Sequence, residues 1–208
     1  MGASGSNDRG QAFPIYVVLV AGLLFAAFAF FAVGQASVTR SDAQGAADAA
    51  ALAAAREVRD AALVDLDLVA LKPADWEQLL RGDLLTGKGA CAAAASFAAR
   101  NNAVSECEPS LPRFTVNVTT NRTVGGSVIP GTEGMKGTAS ATALIEPRCT
   151  LGAGPAPSVT NPPGGDSTPK PDQIKFQCKG GEPVQLDPLK PGSLRTLARS
   201  LFSVRLVD

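Results

Sequence analysis

The sequence predicts an α+β chain: a single N-terminal transmembrane helix that continues into a long alanine-rich helix, packed on a small antiparallel sheet. Three observations predict it. Phe13 to Val33 is an uncharged apolar run (FPIYVVLVAGLLFAAFAFFAV), close to the ~20 residues that cross a ~30 Å hydrocarbon core. Ser41 to Val69 is dominated by Ala, Leu, Glu and Arg, residues of high helix propensity. Arg113 to Thr120 and Lys136 to Pro147 alternate apolar or small residues with polar ones, the period-two signature of half-buried strands.

Taken in order, residues 1–12 form a short polar tail, small and hydrophilic, expected to be disordered. Residues 13–34 form the transmembrane helix, since lipid leaves backbone N–H and C=O groups no partner outside the chain. A cleaved secretory signal has a shorter apolar core, and helical patterning runs on through Gly34-Gln35-Ala36-Ser37, so the anchor is expected to be retained. Residues 35–71 extend the helix until Pro73 bars a helical conformation at Lys72. From Phe13 to Leu71 that is about 59 residues, roughly 88 Å if straight. Alanine offers little apolar area but lets another backbone come close. The extension therefore lies flat on a sheet of its own domain, or packs on neighbouring helices of an assembly, or both.

Residues 72–208 form the aqueous domain. A short helix from Ala74 to Arg81 puts Trp76, Leu79 and Leu80 on one face, with Trp76 a core anchor. A second from Ala90 to Asn101 carries Cys91 near its start and Phe97 on its apolar face. The two alternating strands form a hairpin whose long tip holds Gly125, Gly126, Pro130, Gly131 and Gly134. A Gly/Pro-rich flexible loop covers 152–171. Ile174 to Cys178 is a short strand, Pro188 to Ser200 a helix, and Phe202 to Val207 a final strand.

Composition excludes much. The 208 residues carry no net charge, one Trp (Trp76) and one Tyr (Tyr16), and no histidine. Nothing here attracts or stacks on nucleic acid. Without histidine the commonest base, metal ligand and nucleophile partner are missing. Asp65, Asp67, Asp75, Glu77 and Asp83 read as solvated faces and helix starts, and no serine has a base. We therefore expect no catalytic residue, cofactor, metal or small-molecule substrate. Four cysteines remain, Cys91, Cys107, Cys149 and Cys178. An even count on a membrane-tethered chain points to two disulfides outside the cytoplasm. Three pairings are open, besides buried free thiols. The sequence-local set, Cys91–Cys107 and Cys149–Cys178, is favoured. Arg9, beside Asp8, and Arg40 bias topology only weakly; the cysteines favour an extracytoplasmic C-terminal domain.

A helix half in lipid and half on a sheet resembles type IV pilins and pseudopilins. The local residues are narrower. Asp8-Arg9-Gly10-Gln11, the apolar helix, then Arg40, Asp42, Ala43-Gln44 and Ala46-Ala47-Asp48-Ala49-Ala50-Ala51-Leu52-Ala53 resemble the N-terminal segment of Tad/Flp pilus-assembly proteins, the TadG-like group in its actinobacterial form. Ser96-Phe97-Ala98-Ala99-Arg100-Asn101 is similar to that group's next helix. The resemblance implies a non-enzymatic accessory component of a pilus or secretion assembly in the cell membrane, with the lipid bilayer and other assembly proteins as partners. Pilins are cut after a glycine and carry a glutamate five positions on; counted from Gly10 that position is Ile15, which fits an accessory protein rather than a fibre subunit. The alternative is a membrane-tethered extracellular binding or adhesion module unrelated to pili.

Overall fold

A computed structural model describes residues 12–123, 131, 133–152 and 173–207. Its elements are α1 (Ala12–Ala61), α2 (Pro73–Arg81), α3 (Ala90–Arg100), β1 (Ala103–Ser110), β2 (Arg113–Thr123), β3 (Lys136–Pro147), β4 (Cys149–Leu151), β5 (Ile174–Cys178), β6 (Val184–Leu186), α4 (Leu194–Leu201) and β7 (Phe202–Val207). The class is α+β, with both sheets antiparallel. The polar tail up to residue 11, most of the hairpin tip and all but Gly152 of the Gly/Pro-rich loop lie outside the described residues.

The 50 residues of α1 make a rod of about 75 Å. Its first part, Phe13–Phe31, is long and apolar enough to cross a membrane, and none of it is buried. Its second part buries Ala43, Ala46, Ala47, Ala50, Ala51, Ala54, Ala55 and Val58. One sheet has the order β1-β2-β3-β7. α1 lies over β2 and β3, and α3 lies beside it against β1. The covered face of the sheet carries Phe114, Val116 and Val118 on β2, opposite Ala143, Ala141 and Ala139 on β3. Small residues on the strand thus meet alanines on the helix, and two backbones come close. The other face is Thr115, Asn117 and Thr119 against Thr142, Ser140 and Thr138, and a 3.0 Å hydrogen bond joins the Thr115 and Thr142 hydroxyls. An antiparallel sheet with one solvated face alternates in this way.

The second sheet, β4-β5-β6, shares the core with α2. Trp76 stands edge-on to Phe176, ring centroids 5.4 Å apart, and both are buried with Leu79 and Leu186. Trp76 is a core anchor, although its indole N–H has no partner among the described residues. α2 opens on Pro73, with the Asp75 carboxylate accepting from the Lys72 N–H at 2.8 Å. It closes at Gly82, whose φ of 92° is a left-handed conformation that glycine adopts without steric cost.

The structure corrects four expectations. The helix extension stops at Ala61, not Leu71. Beyond it, the Asp67 carboxylate accepts from the Val69 and Ala70 N–H groups, a side-chain turn that competes with helical bonding. Phe97 is not on the buried face of α3, which is Ala90, Ala94 and Ala98; it is exposed, with the Arg100 guanidinium 4.9 Å above its ring. α4 begins at Leu194 rather than Pro188, because Pro191 disfavours helix at Lys190 and Gly192 has a φ of 66°. Finally, Ala103–Ser110 is an edge strand that the pattern did not announce. Its Glu106, Glu108 and Pro109 are residues that blunt an edge against further pairing.

Candidate functional site

The alanines of α1 are spent inside the domain. Every alanine from Ala43 to Ala55 except Ala49 is buried there. The helix presents outward Ser41, Gly45 and Arg56, with Ala49 and Leu52 half-buried. Of the two packing readings, the geometry realises contact with the chain's own sheet.

The helix and sheet come close at Gly137, the second residue of β3. A Cβ there would lie 2.6 Å from the Thr39 carbonyl oxygen and 3.2 Å from the Ala43 Cβ, so any side chain would push the sheet off the helix. The same corner holds a bulge. Thr119 pairs with Thr138, yet Thr123 already pairs with Lys136, so β2 carries extra residues there. Thr120, a buried polar residue, holds the bulge closed. Its hydroxyl donates to the Arg122 carbonyl at 2.8 Å and accepts from the Gly137 N–H at 2.9 Å. Bulges re-aim side chains, and this one places Arg122 on the wall of a cleft. That cleft, about 880 Å³, lies between α1 from Phe31 to Gly45, the end of α3 at Arg100 to Asn102, and the end of β2. Nothing in the residue pattern announces it; the isolated glycine in an otherwise regular strand is the trace it leaves in the sequence.

The four cysteines are placed as follows. Cys91 on α3 is bonded to Cys107 on β1, which ties the helix to the sheet edge. Cys149 on β4 is bonded to Cys178 on β5, its register partner, and so closes the base of the 153–172 segment. All four thiols are therefore engaged.

The acidic residues do structural work. Asp67 and Asp75 accept from backbone N–H groups. Glu77 and Asp83 flank Arg81 at 4.0 and 3.4 Å. Asp60, one residue before the end of α1, receives a forked contact from Arg199 of α4, the shortest arm 2.6 Å, besides one from Arg59. Burial works to raise the Asp60 carboxyl, and the two guanidiniums outweigh it, so it lies below the usual carboxylate value. Glu146 is likewise lowered, by the hydrogen bonds of Arg205 across the β3–β7 pair. Among the described residues no three Cys, Asp or Glu side chains converge in a way that would hold a metal ion.

No curated protein and no solved structure matches the chain. A family model does, over residues 10–57: Tad, Flp pilus-assembly TadE/G-like. The match covers under a quarter of the chain and coincides with α1, from its entry through the exposed apolar part to the buried alanines. The resemblance to Tad/Flp pilus-assembly proteins thus resides in the one helix that joins the apolar rod to the domain core, and it points to a pilus-related role.

Proposed function

We propose that this chain is a membrane-anchored accessory component of a Tad/Flp-type pilus assembly or secretion system, non-enzymatic and acting through helix packing and surface contacts. Residues 13–34 cross the cell membrane once, and the domain from residue 72 onward lies on the extracytoplasmic side. The observation that supports this reading best is the division of α1. An apolar part exposed on every side continues, without a break in the helix, into a part buried in the domain. Exposed apolar area on that scale is stable in lipid and not in water. Two disulfides favour an oxidising compartment. The protein partners are other components of the assembly. The buried alanines leave the Ala43–Val58 part of α1 little surface to offer neighbouring copies, and Ile15 stands where a pilin would carry its glutamate, which favours an accessory place over a repeating subunit.

The test is a pair of arginines in the apolar part. Nothing lies within 4 Å of a Cβ added at Gly22, so the substitution strains no contact. Each arginine near the bilayer centre costs about 3 kcal/mol on insertion scales. A Gly22→Arg/Ala27→Arg variant is expected in the carbonate-soluble fraction, the parent in the membrane pellet. Equal retention of both would contradict the anchor. Copurification with a pilus ATPase and its inner-membrane platform distinguishes an assembly component from a free-standing adhesion module.

A further inference from the structure

We propose that the cleft at the foot of the sheet holds the headgroup of an anionic phospholipid. The proposal rests on the membrane-spanning reading of α1 and deepens it. Two features of the cleft carry it, its position and its charge.

The cleft begins beside Phe31 and ends at Gly45. Phe31 is also the last residue of the exposed apolar stretch. With that stretch in hydrocarbon, the mouth of the cleft opens into the headgroup layer, which adds roughly 5–7 Å to each side of the hydrocarbon core. Gly34 and Val38 continue the α1 wall upward, about 4 and 10 Å above Phe31 along the axis. Acyl chains would lie along the apolar part of α1 while the phosphate entered the cleft.

The charge is cationic. Arg100 and Arg122 line the cleft, and Asp42 is the one carboxylate among its lining residues. Lys136 is the register partner of the lining residue Thr123, and Arg40 follows the lining residue Thr39 on α1. None of these four cations has a carboxylate within ion-pair distance among the described residues, whereas Arg59, Arg81, Arg199 and Arg205 all do. The bulge held by Thr120 is what puts Arg122 there, and the Arg100 guanidinium stands 4.9 Å above the Phe97 ring. Guanidinium forks match phosphate oxygens in geometry as well as in charge.

The experiment uses the full chain reconstituted into phosphatidylcholine vesicles, with and without phosphatidylglycerol. Carbonate resistance in both vesicles is measured first and reports the anchor alone. Spin-labelled phosphatidylglycerol and phosphatidylcholine then report which lipid the protein immobilises. Phosphatidylglycerol is expected to be preferred several-fold. Arg100→Gln and Arg122→Gln should each lower that preference by about fivefold, from ~1 kcal/mol per basic residue at an anionic surface. Arg195→Gln on α4 should leave it unchanged. Thermal melting of each variant checks that it folds. Equal association of both lipids with the parent overturns the proposal. So does an Arg195→Gln effect as large as that of Arg122→Gln, which would mean diffuse surface charge. Displacement of phosphatidylglycerol by soluble glycerol phosphate would mean a site for free anions, and also overturns it. Extraction by carbonate from both vesicles instead overturns the anchor itself, and is read separately.

Discussion

Thr120 shows how much one side chain can decide. Its hydroxyl closes the bulge, satisfies the Gly137 N–H and leaves the strand free to touch α1 at Thr39. Thr120→Val keeps the shape and strands two backbone groups in a buried corner. That should cost about 1–3 kcal/mol, a fall of about 2–4 °C in Tm per kcal/mol for a chain of this size, while Thr120→Ser should restore most of it. A valine variant that melts with the parent would show that the corner is wet and the hydroxyl idle. Asp60 is the other such residue. In sequence it is an ordinary acidic residue near a helix end; its partner Arg199 lies 139 positions away, and no local pattern could reveal the pair. Because its folded carboxyl is lowered, its stabilisation is complete above the unfolded carboxylate value of about 3.9. It is lost as pH falls through the folded value. Urea midpoints of the parent should therefore drop more between about pH 6 and about pH 3 than those of Arg199→Ala. Parallel pH profiles would rule the pair out as a source of acid sensitivity.

The elements were legible to different degrees, for physical reasons. Lys136–Pro147, Ile174–Cys178 and Phe202–Val207 emerge as strands with the bounds their patterns predict, because one face is buried and the other wet. Ala103–Ser110 escapes notice because its inward residues, Ala103, Ser105 and Cys107, are small or polar, and its order comes from pairing with β2 and from the bond to Cys91. α1 ends short of Leu71 because Asp65, Asp67 and Val69 are weaker helix formers than the alanines before them, and the Asp67 turn wins locally. The favoured local cysteine pairing is the one the structure contains; what spacing did not convey is its use, a helix stapled to an edge strand. Cys91→Ser/Cys107→Ser opens a loop of 16 residues' separation. It should cost about 3 kcal/mol, measured as a lower denaturant midpoint, and the parent under reductant, with the Cys149–Cys178 bond open as well, should fall at least as far. A midpoint indifferent to both would mean that the thiols are not bonded in solution.

At the scale of the molecule, α1 has two environments along one continuous helix. The domain is held by packing, two disulfides and the Asp60–Arg199 link between α1 and α4. The rod packs on nothing among the described residues: Phe13, Tyr16, Phe25 and Phe30 are all at least two-thirds exposed. The full chain should therefore be monodisperse only in detergent or lipid, and should aggregate when detergent is removed, as gel filtration would read. A monomeric profile in plain buffer would remove the physical basis of the membrane anchor.

Composition and periodicity alone determined that this chain has an apolar helix of spanning length, an alanine helix behind it, an antiparallel sheet and four cysteines with no histidine beside them. These are local properties, set by residue type and repeat. Only the tertiary structure decided which partner the alanines take, because a small residue is compatible with any close neighbour. It also decided that a bulge at Thr120 turns Arg122 toward the foot of α1, since that cleft is assembled from α1, α3 and β2, segments far apart in the chain, and from contacts that no single stretch encodes.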